Sequence, residues 1–243
     1  MSATQAMSAE RYARIRHVLS KRQPDLTLLL EQVHKPHNVS AVIRTADAVG
    51  VHEIHTVWED DYDERLRDHT AAGSNNWVGV NKHHSISGAV SALKKQNMQV
   101  LVTHLDESAV DYREIDYTLP TAIILGQELT GATQEAIALA DKSIVIPMCG
   151  MTQSLNVSVA TAVVLYEAQR QRQQKGFYDV NNRARHKQRV SEADIQRVLF
   201  QRGFPVLFEM CVAKNLSFPH INEHGEIDAT QQWWDALKYN TQD

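Results

Sequence analysis

SIVIPMCGMTQSLNVSVATAVVLYE, residues 143–167, decides how the chain is read. The apolar run Ile144 to Ile146 is stopped by Pro147, and a polar turn ending in Asn156 delivers the chain into a helix that is apolar on nearly every face. Proline ends the strand because it has no N–H to give a ladder. A helix apolar all round has to be buried on every side. Ser154, Asn156 and Ser158 stand beside it, where an unpaired buried hydroxyl or amide costs about 1 to 3 kcal/mol. Either they cap the helix or they line a site, and the stretch alone leaves both readings open.

Upstream, apolar runs at 26–33, 53–58, 98–103 and 121–125 read as strands, with a short one at 77–80. HKPHN (34–38) reads as a loop, after which Asn38 opens a helix that Gly50 closes in the position favoured for a left-handed cap. Further helices are expected near 87–96 and 132–140. The charged run 59–69 and the small polar run 70–76 read as loops. Strands that are apolar throughout, alternating with helices, predict a mostly parallel sheet covered on both faces. Asn38, Thr103, Gly126, Glu128 and the turn after Ile146 all follow strand C-terminal ends, the edge where open parallel sheets bind ligands.

The flanks differ from this middle. Ser8 caps a helix over 9–20 whose apolar members are Ala13, Val18 and Leu19 and whose Arg11, Arg14 and Arg16 face outward; Gln23, Pro24 and Asp25 end it. Residues 1–24 are therefore an N-terminal helical extension, 25–176 the central α/β domain, and 177–243 a C-terminal helical extension carrying Trp233 and Trp234. The formal net charge is -4, so no global basic signature for nucleic acid exists. Locally, however, residues 11–35 hold six Lys or Arg against two carboxylates, and 169–202 hold nine against three. Basic flanks serve a phosphate backbone, although solvated helix faces account for them as well. Two distant cysteines argue against a disulfide framework and for a reducing cytoplasm. No stretch approaches the roughly 18 apolar residues of a membrane span, so no membrane partner is expected.

Several chemistries lack their fingerprint. No GxGxxG follows the first strand, no GxxxxGK[ST] phosphate loop occurs, and no GxSxG elbow is present. The histidine pairs 34/37, 52/55 and 83/84 lack the spacing of metal motifs and read as packing or surface. Two further pieces are unusual. NVSAVIRTADAVGV (38–51) sets Arg44 in an otherwise apolar helix, where a charge needs a partner or a ligand. ILGQELTGAT (124–133) flanks Glu128 with glycines, as in a loop whose backbone approaches something closely. A structural salt bridge and a plain turn are the alternatives.

Together with IPMCGMTQSLNVSVATAVVLYE (146–167), these pieces stand in the order and spacing of the three motifs of the SPOUT methyltransferases, TrmH (SpoU) branch, which the chain resembles over about residues 25–175. RYARI (11–15), RQPDLT (22–27), EQVHKPHN (31–38) and YEAQRQRQ (166–173) are similar to its tRNA-modifying members. The resemblance implies an α/β fold with a C-terminal deep trefoil knot, which composition and periodicity would not propose, because threaded chains are rare. It also implies a homodimer and no metal. The implied activity is methyl transfer from S-adenosylmethionine to the 2'-oxygen of a guanosine ribose in tRNA, guanosine 18 of the D-loop. Backbone groups at Thr103, Gly126, Ile146 and Leu155 would hold S-adenosylmethionine. Arg44, with Asn38, Glu128, Ser154 and Asn156 around it, would serve the reaction, and Arg11, Arg14 and Arg16 would grip RNA. Rival readings are a ribosomal RNA 2'-O-methyltransferase, an RNA-binding protein of the same fold without catalysis and, more distantly, a nucleotide-dependent oxidoreductase.

Overall fold

The computed structural model describes residues 7–58, 77–181 and 189–238. The runs 59–69 and 70–76 and most of the basic segment 181–189 lie outside the described residues. The chain divides into two compact units, Arg22–Gln188, and Met1–Lys21 with Arg189–Asp243.

After α1 (Ala9–Ser20), the larger unit runs β1 (Leu26–Glu31), α2 (Pro36–Val49), β2 (Glu53–Val57), β3 (Gly79–His83), α3 (Ile86–Lys95) and β4 (Gln99–Thr103). It continues with β5 (Val110–Asp111), a 3₁₀ turn (Tyr112–Glu114), β6 (Thr121–Leu125), α4 (Gln134–Leu139), β7 (Lys142–Val145) and α5 (Val157–Gln174). The seven strands form one parallel sheet in the order β3-β2-β1-β6-β4-β7-β5. From β1 the chain steps to β2 and β3 on one side, then crosses to the other, and β6 later fills the gap between β1 and β4. That reversal is the switch point at which such sheets leave a crevice.

Successive strand residues face opposite sides, so two apolar layers require strands apolar throughout. Leu28, Leu30, Leu101, Ile123 and Leu125 pack under Val42 and Ala46 of α2 and Val164 and Leu165 of α5. Leu29, Val100, Val102 and Ile124 face the other way, under Val90 and Leu93 of α3 and Ala136 of α4.

Three local expectations are corrected. Asn38 is not in a loop: α2 starts at Pro36, whose fixed φ suits the first helical turn, and Asn38 lies buried inside that turn. Arg44 is not a buried charge either. It sits on the exposed face of α2 and makes no hydrogen bond or ion pair with any described residue. The expected all-round burial of α5 is incomplete, since Val159 and Tyr166 are 48% and 51% exposed on one stripe.

A different arginine is the buried one. Arg172, near the end of α5, is fully buried; it donates to the Tyr117 carbonyl at 2.8 Å, to Asp25 Oδ1 at 2.5 Å and to the Asp25 carbonyl at 3.0 Å. Phe177 lies under its guanidinium. It ties α5 to the start of β1 and is removed from the charge available to a phosphate backbone.

In the second unit, Ser8 caps α1 as expected, accepting from the Arg11 N–H. The buried pair is Ile15 and Leu19, however, four apart on one face, while Ala13 and Val18 are exposed. Helix α1 packs on α6 (Glu192–Gly203), followed by α7 (Pro205–Ala213), a hairpin of β8 (His220–Ile221) and β9 (Ile227–Asp228), and α8 (Gln231–Lys238). Phe200 gathers Phe204, Phe208, Phe218 and Trp233 around it at ring-centroid distances of 5.9 to 6.2 Å.

Candidate active site

Parallel strands bring the C-terminal ends of β6, β4 and β7 to one edge, and the N-terminus of α5 returns there. Between them opens a cavity of about 560 Å³, of the size that takes a nucleoside-sized ligand. All four positions expected to hold S-adenosylmethionine, Thr103, Gly126, Ile146 and Leu155, line it, as do Glu128, Ser154 and Asn156.

Gly126 does have a close neighbour, and it is the chain itself. A Cβ there would lie 2.1 Å from the Ala132 nitrogen, because residues 127–131 double back and the Gln127 and Gly131 N–H groups each donate to the other's carbonyl. Gly131 supplies the left-handed φ of +71° that closes the loop. Buried Glu31, at the end of β1, clamps the loop's far side by accepting from the Thr133 N–H and hydroxyl at 2.9 and 2.6 Å. Sequence reading missed this clamp, because a carboxylate closing a strand carries no local signal.

The loop places Glu128 at the cavity wall. Its Oε1 accepts from Asn38 Nδ2 at 2.6 Å, and Asn38 Oδ1 accepts from Asn156 Nδ2 at 3.2 Å. Partial burial alone would push the Glu128 carboxyl up, but the hydrogen bond from Asn38, backbone N–H groups and the nearby Lys35 charge bring it below its ordinary value. Lys35, also at the wall, immediately precedes α2 without a side-chain capping bond and was not singled out from the sequence. Its only signal was its place in HKPHN.

The two readings of the opening stretch now separate by residue. Asn156 caps α5 through the Ser158 N–H at 2.9 Å and lines the cavity as well. Ser154 does not cap; it is exposed at the wall, and its carbonyl accepts from Thr152. Asn38 lies behind the wall, bonded to both Glu128 and Asn156. Arg44 is not brought to the cavity.

The expected RNA contacts lie on α1. Arg14 is exposed with no bonding partner among the described residues. Arg11 donates to the Arg202 carbonyl, and Arg16 is held by both carboxylate oxygens of Glu192 at 2.6 and 2.9 Å. Of the histidines, His55 and His83 hydrogen-bond each other at 2.8 Å, a packing role. Among the described residues no group of three or more His, Cys, Asp or Glu is placed to hold a metal ion, and no helix is long and apolar enough to cross a membrane.

The profile of the SpoU rRNA Methylase family matches residues 25–166, and that of the SpoU rRNA methylase C-terminal region matches 170–230. The chain is 57% identical over 234 residues to the tRNA (guanosine(18)-2'-O)-methyltransferase of Escherichia coli (strain K12), covering 96% of this chain and 99% of that relative. Its structure is similar to that of the A. aeolicus TrmH/SpoU tRNA modifying enzyme, with a TM-score of 0.72 and 40% identity, covering 81% of this chain and 96% of that one. It is also similar to the SpoU methyltransferase AviRb from Streptomyces viridochromogenes in complex with the cofactor AdoMet, with a TM-score of 0.55 and 28% identity, covering 62% and 59% respectively.

Proposed function

The chain belongs to the SpoU (TrmH) methylase family, and on that premise we propose that it methylates the ribose 2'-oxygen of guanosine 18 in tRNA. The observation that carries this reading is identity at 57% running through both compact units to a relative named for that reaction. A ribosomal RNA substrate and a loss of catalysis are the readings it displaces.

S-adenosylmethionine is the methyl donor of the proposal. The cavity fits it: its volume suits a nucleoside, exposed Leu105 and Leu129 offer apolar surface at the rim, and backbone groups at Thr103, Gly126, Ile146 and Leu155 surround the space. When bound, it would supply an electrophilic methyl group open to in-line attack by the ribose 2'-oxygen, the carbon–sulfur bond breaking to release S-adenosylhomocysteine and the hydroxyl proton passing to solvent. The protein contributes alignment and stabilisation of charge on that oxygen. Arg44 stays charged in this account, orienting a substrate phosphate and stabilising the developing alkoxide. Supplying it neutral at pH 7 as a general base would cost about 7 kcal/mol.

The protein acts as a homodimer in this proposal. Support comes from α5, which leaves Val159 and Tyr166 exposed beside α2. Arg44 lies off its own chain's cavity, so a dimer pairing these faces would let it reach a substrate. The knot implied by the family resemblance belongs to the same proposal, with α5 as its threaded helix. The unit built from α1 and the C-terminal helices serves RNA binding, with Arg11, Arg14 and Arg16 on its surface. Arg16 has to leave Glu192 to take part. Two unpaired cysteines, Cys149 and Cys211, fit a cytoplasmic protein.

The test is methyl transfer from labelled S-adenosylmethionine to unmodified tRNA and to ribosomal RNA, followed by nucleoside analysis. Label in 2'-O-methylguanosine from tRNA supports the reading; label from ribosomal RNA alone overturns it.

A further inference from the structure

Four polar side chains, of which Glu128 and Asn156 line the cavity and Asn38 and Ser158 lie behind it, form a chain of hydrogen bonds whose direction is fixed from one end. The backbone N–H of Ser158 can only donate, so the end of Asn156 that meets it at 2.9 Å is the amide oxygen, which also accepts from the Ser158 hydroxyl at 2.6 Å. The nitrogen of Asn156 therefore faces Asn38, whose oxygen accepts from it at 3.2 Å. Asn38 is 1% exposed in the first turn of α2, so its amide has no water to turn to. Its own nitrogen is left for Glu128 Oε1, at 2.6 Å. Reversing either amide would set two donors or two acceptors against each other at Asn38, and a mismatch at this buried group is costly, although Asn156 itself is exposed.

We propose that Glu128 is a positioning residue: acting through Asn38, it locks the amide of Asn156 so that one N–H of Asn156 is presented to an oxygen of the bound reactants. The inference rests on the methyltransferase reading and assigns roles within it. An amide nitrogen carries two hydrogens; one of Asn156's goes to Asn38, and the other has no partner among the described residues while Asn156 lines the cavity. Proton uptake on Oε1 would turn the acceptor facing Asn38 Nδ2 into a second donor and break the chain of bonds, whereas uptake on Oε2 would leave it intact, so the choice between positioning and proton transfer falls to the variants below. The oxygen served by Asn156 belongs either to the carboxylate of S-adenosylmethionine or to the ribose. Weakened S-adenosylmethionine binding in the variants below marks the first, and slower turnover at saturating S-adenosylmethionine marks the second.

The experiment compares Glu128→Gln, Asn38→Asp and the double variant with the wild type, reading methyl transfer to unmodified tRNA, S-adenosylmethionine affinity by calorimetry and thermal unfolding. Glutamine keeps an oxygen that accepts from Asn38, so Glu128→Gln should stay within roughly tenfold of wild-type turnover, where loss of a general base would cost about 10²- to 10⁴-fold. Asn38→Asp sets two carboxylates face to face and should lose at least about 100-fold in turnover. In the double variant the introduced glutamine donates to the introduced aspartate, whose second oxygen still accepts from Asn156. Turnover should then recover to within roughly tenfold of wild type. A dead Glu128→Gln enzyme, or a double variant no better than Asn38→Asp, overturns the inference, whether Asn38→Asp fails by misfolding or by misalignment. A wild-type protein that transfers methyl to neither tRNA nor ribosomal RNA overturns the methyltransferase reading itself, and the relay falls with it.

Discussion

Two helical arginines show how far a residue's surroundings decide its work. Arg172 is sealed under Tyr117, Asp25 and Phe177. Replacing it with methionine removes the buried guanidinium bonded to Asp25 and to the Tyr117 carbonyl and should cost about 3 to 5 kcal/mol of stability in urea unfolding, as expected for breaking a buried pair. Arg44 is exposed and unpartnered among the described residues, so Arg44→Ala should leave stability within about 0.5 kcal/mol. Its turnover should fall by two orders of magnitude or so, the scale of losing a positioned charge-stabilising group, with S-adenosylmethionine affinity retained. Normal turnover would remove Arg44 from the reaction. Glu128 gives a pH prediction. Its carboxyl titrates lower in the folded protein than its ordinary value of 4.5, so its ionised form contributes stability above that value, which is lost as pH falls through the lower folded value. The stability difference between wild type and Glu128→Gln should therefore be constant above about pH 4.5 and shrink as pH falls below it, read from unfolding curves at a series of pH values. The sequence singled out Asn38, Glu128 and Asn156 but not their joining, because residues 38, 128 and 156 meet only once the sheet edge exists. It also misjudged Arg44, since an arginine between apolar neighbours can still fall on the outer face at 3.6 residues per turn.

The loop after β6 and helix α5 carry the element-scale consequences. Gly126 has no room for a side chain beside Ala132, so Gly126→Ala should open the 126–131 loop and weaken S-adenosylmethionine binding, read by calorimetry. Unchanged affinity would mean that the loop's shape is not what the cavity requires. The sequence signal there was real, although what the glycine approaches is the loop's own return. For α5, the apolar composition was legible and its burial was not. One chain covers Val164, Leu165 and Ala168 and leaves Val159 and Tyr166 exposed. The double variant Val159→Asp, Tyr166→Asp should sediment as a monomer if that stripe is the dimer face, and an unchanged dimer would place the interface elsewhere.

At the scale of the whole molecule, strands apolar throughout and alternating with helices made a two-sided parallel sheet legible, and the ligand edge with it. The pairing of the first 21 residues with the last 55 in one compact unit was not legible, because the two segments read as separate helical extensions and only their joint burial around Ile15, Leu19 and Phe200 makes a core. Charge counting overstated the basic surface for the same reason: Arg172 is spent inside the fold and Arg16 on Glu192. The central claim is one methyl group on one ribose. A 2'-O-methyl group removes the nucleophile on which alkaline RNA cleavage depends, so the most direct measurement is an alkaline ladder of end-labelled, unmodified tRNA before and after incubation with the protein and S-adenosylmethionine. The account predicts one new gap, at the linkage after guanosine 18; an unbroken ladder, or a gap elsewhere, would contradict it.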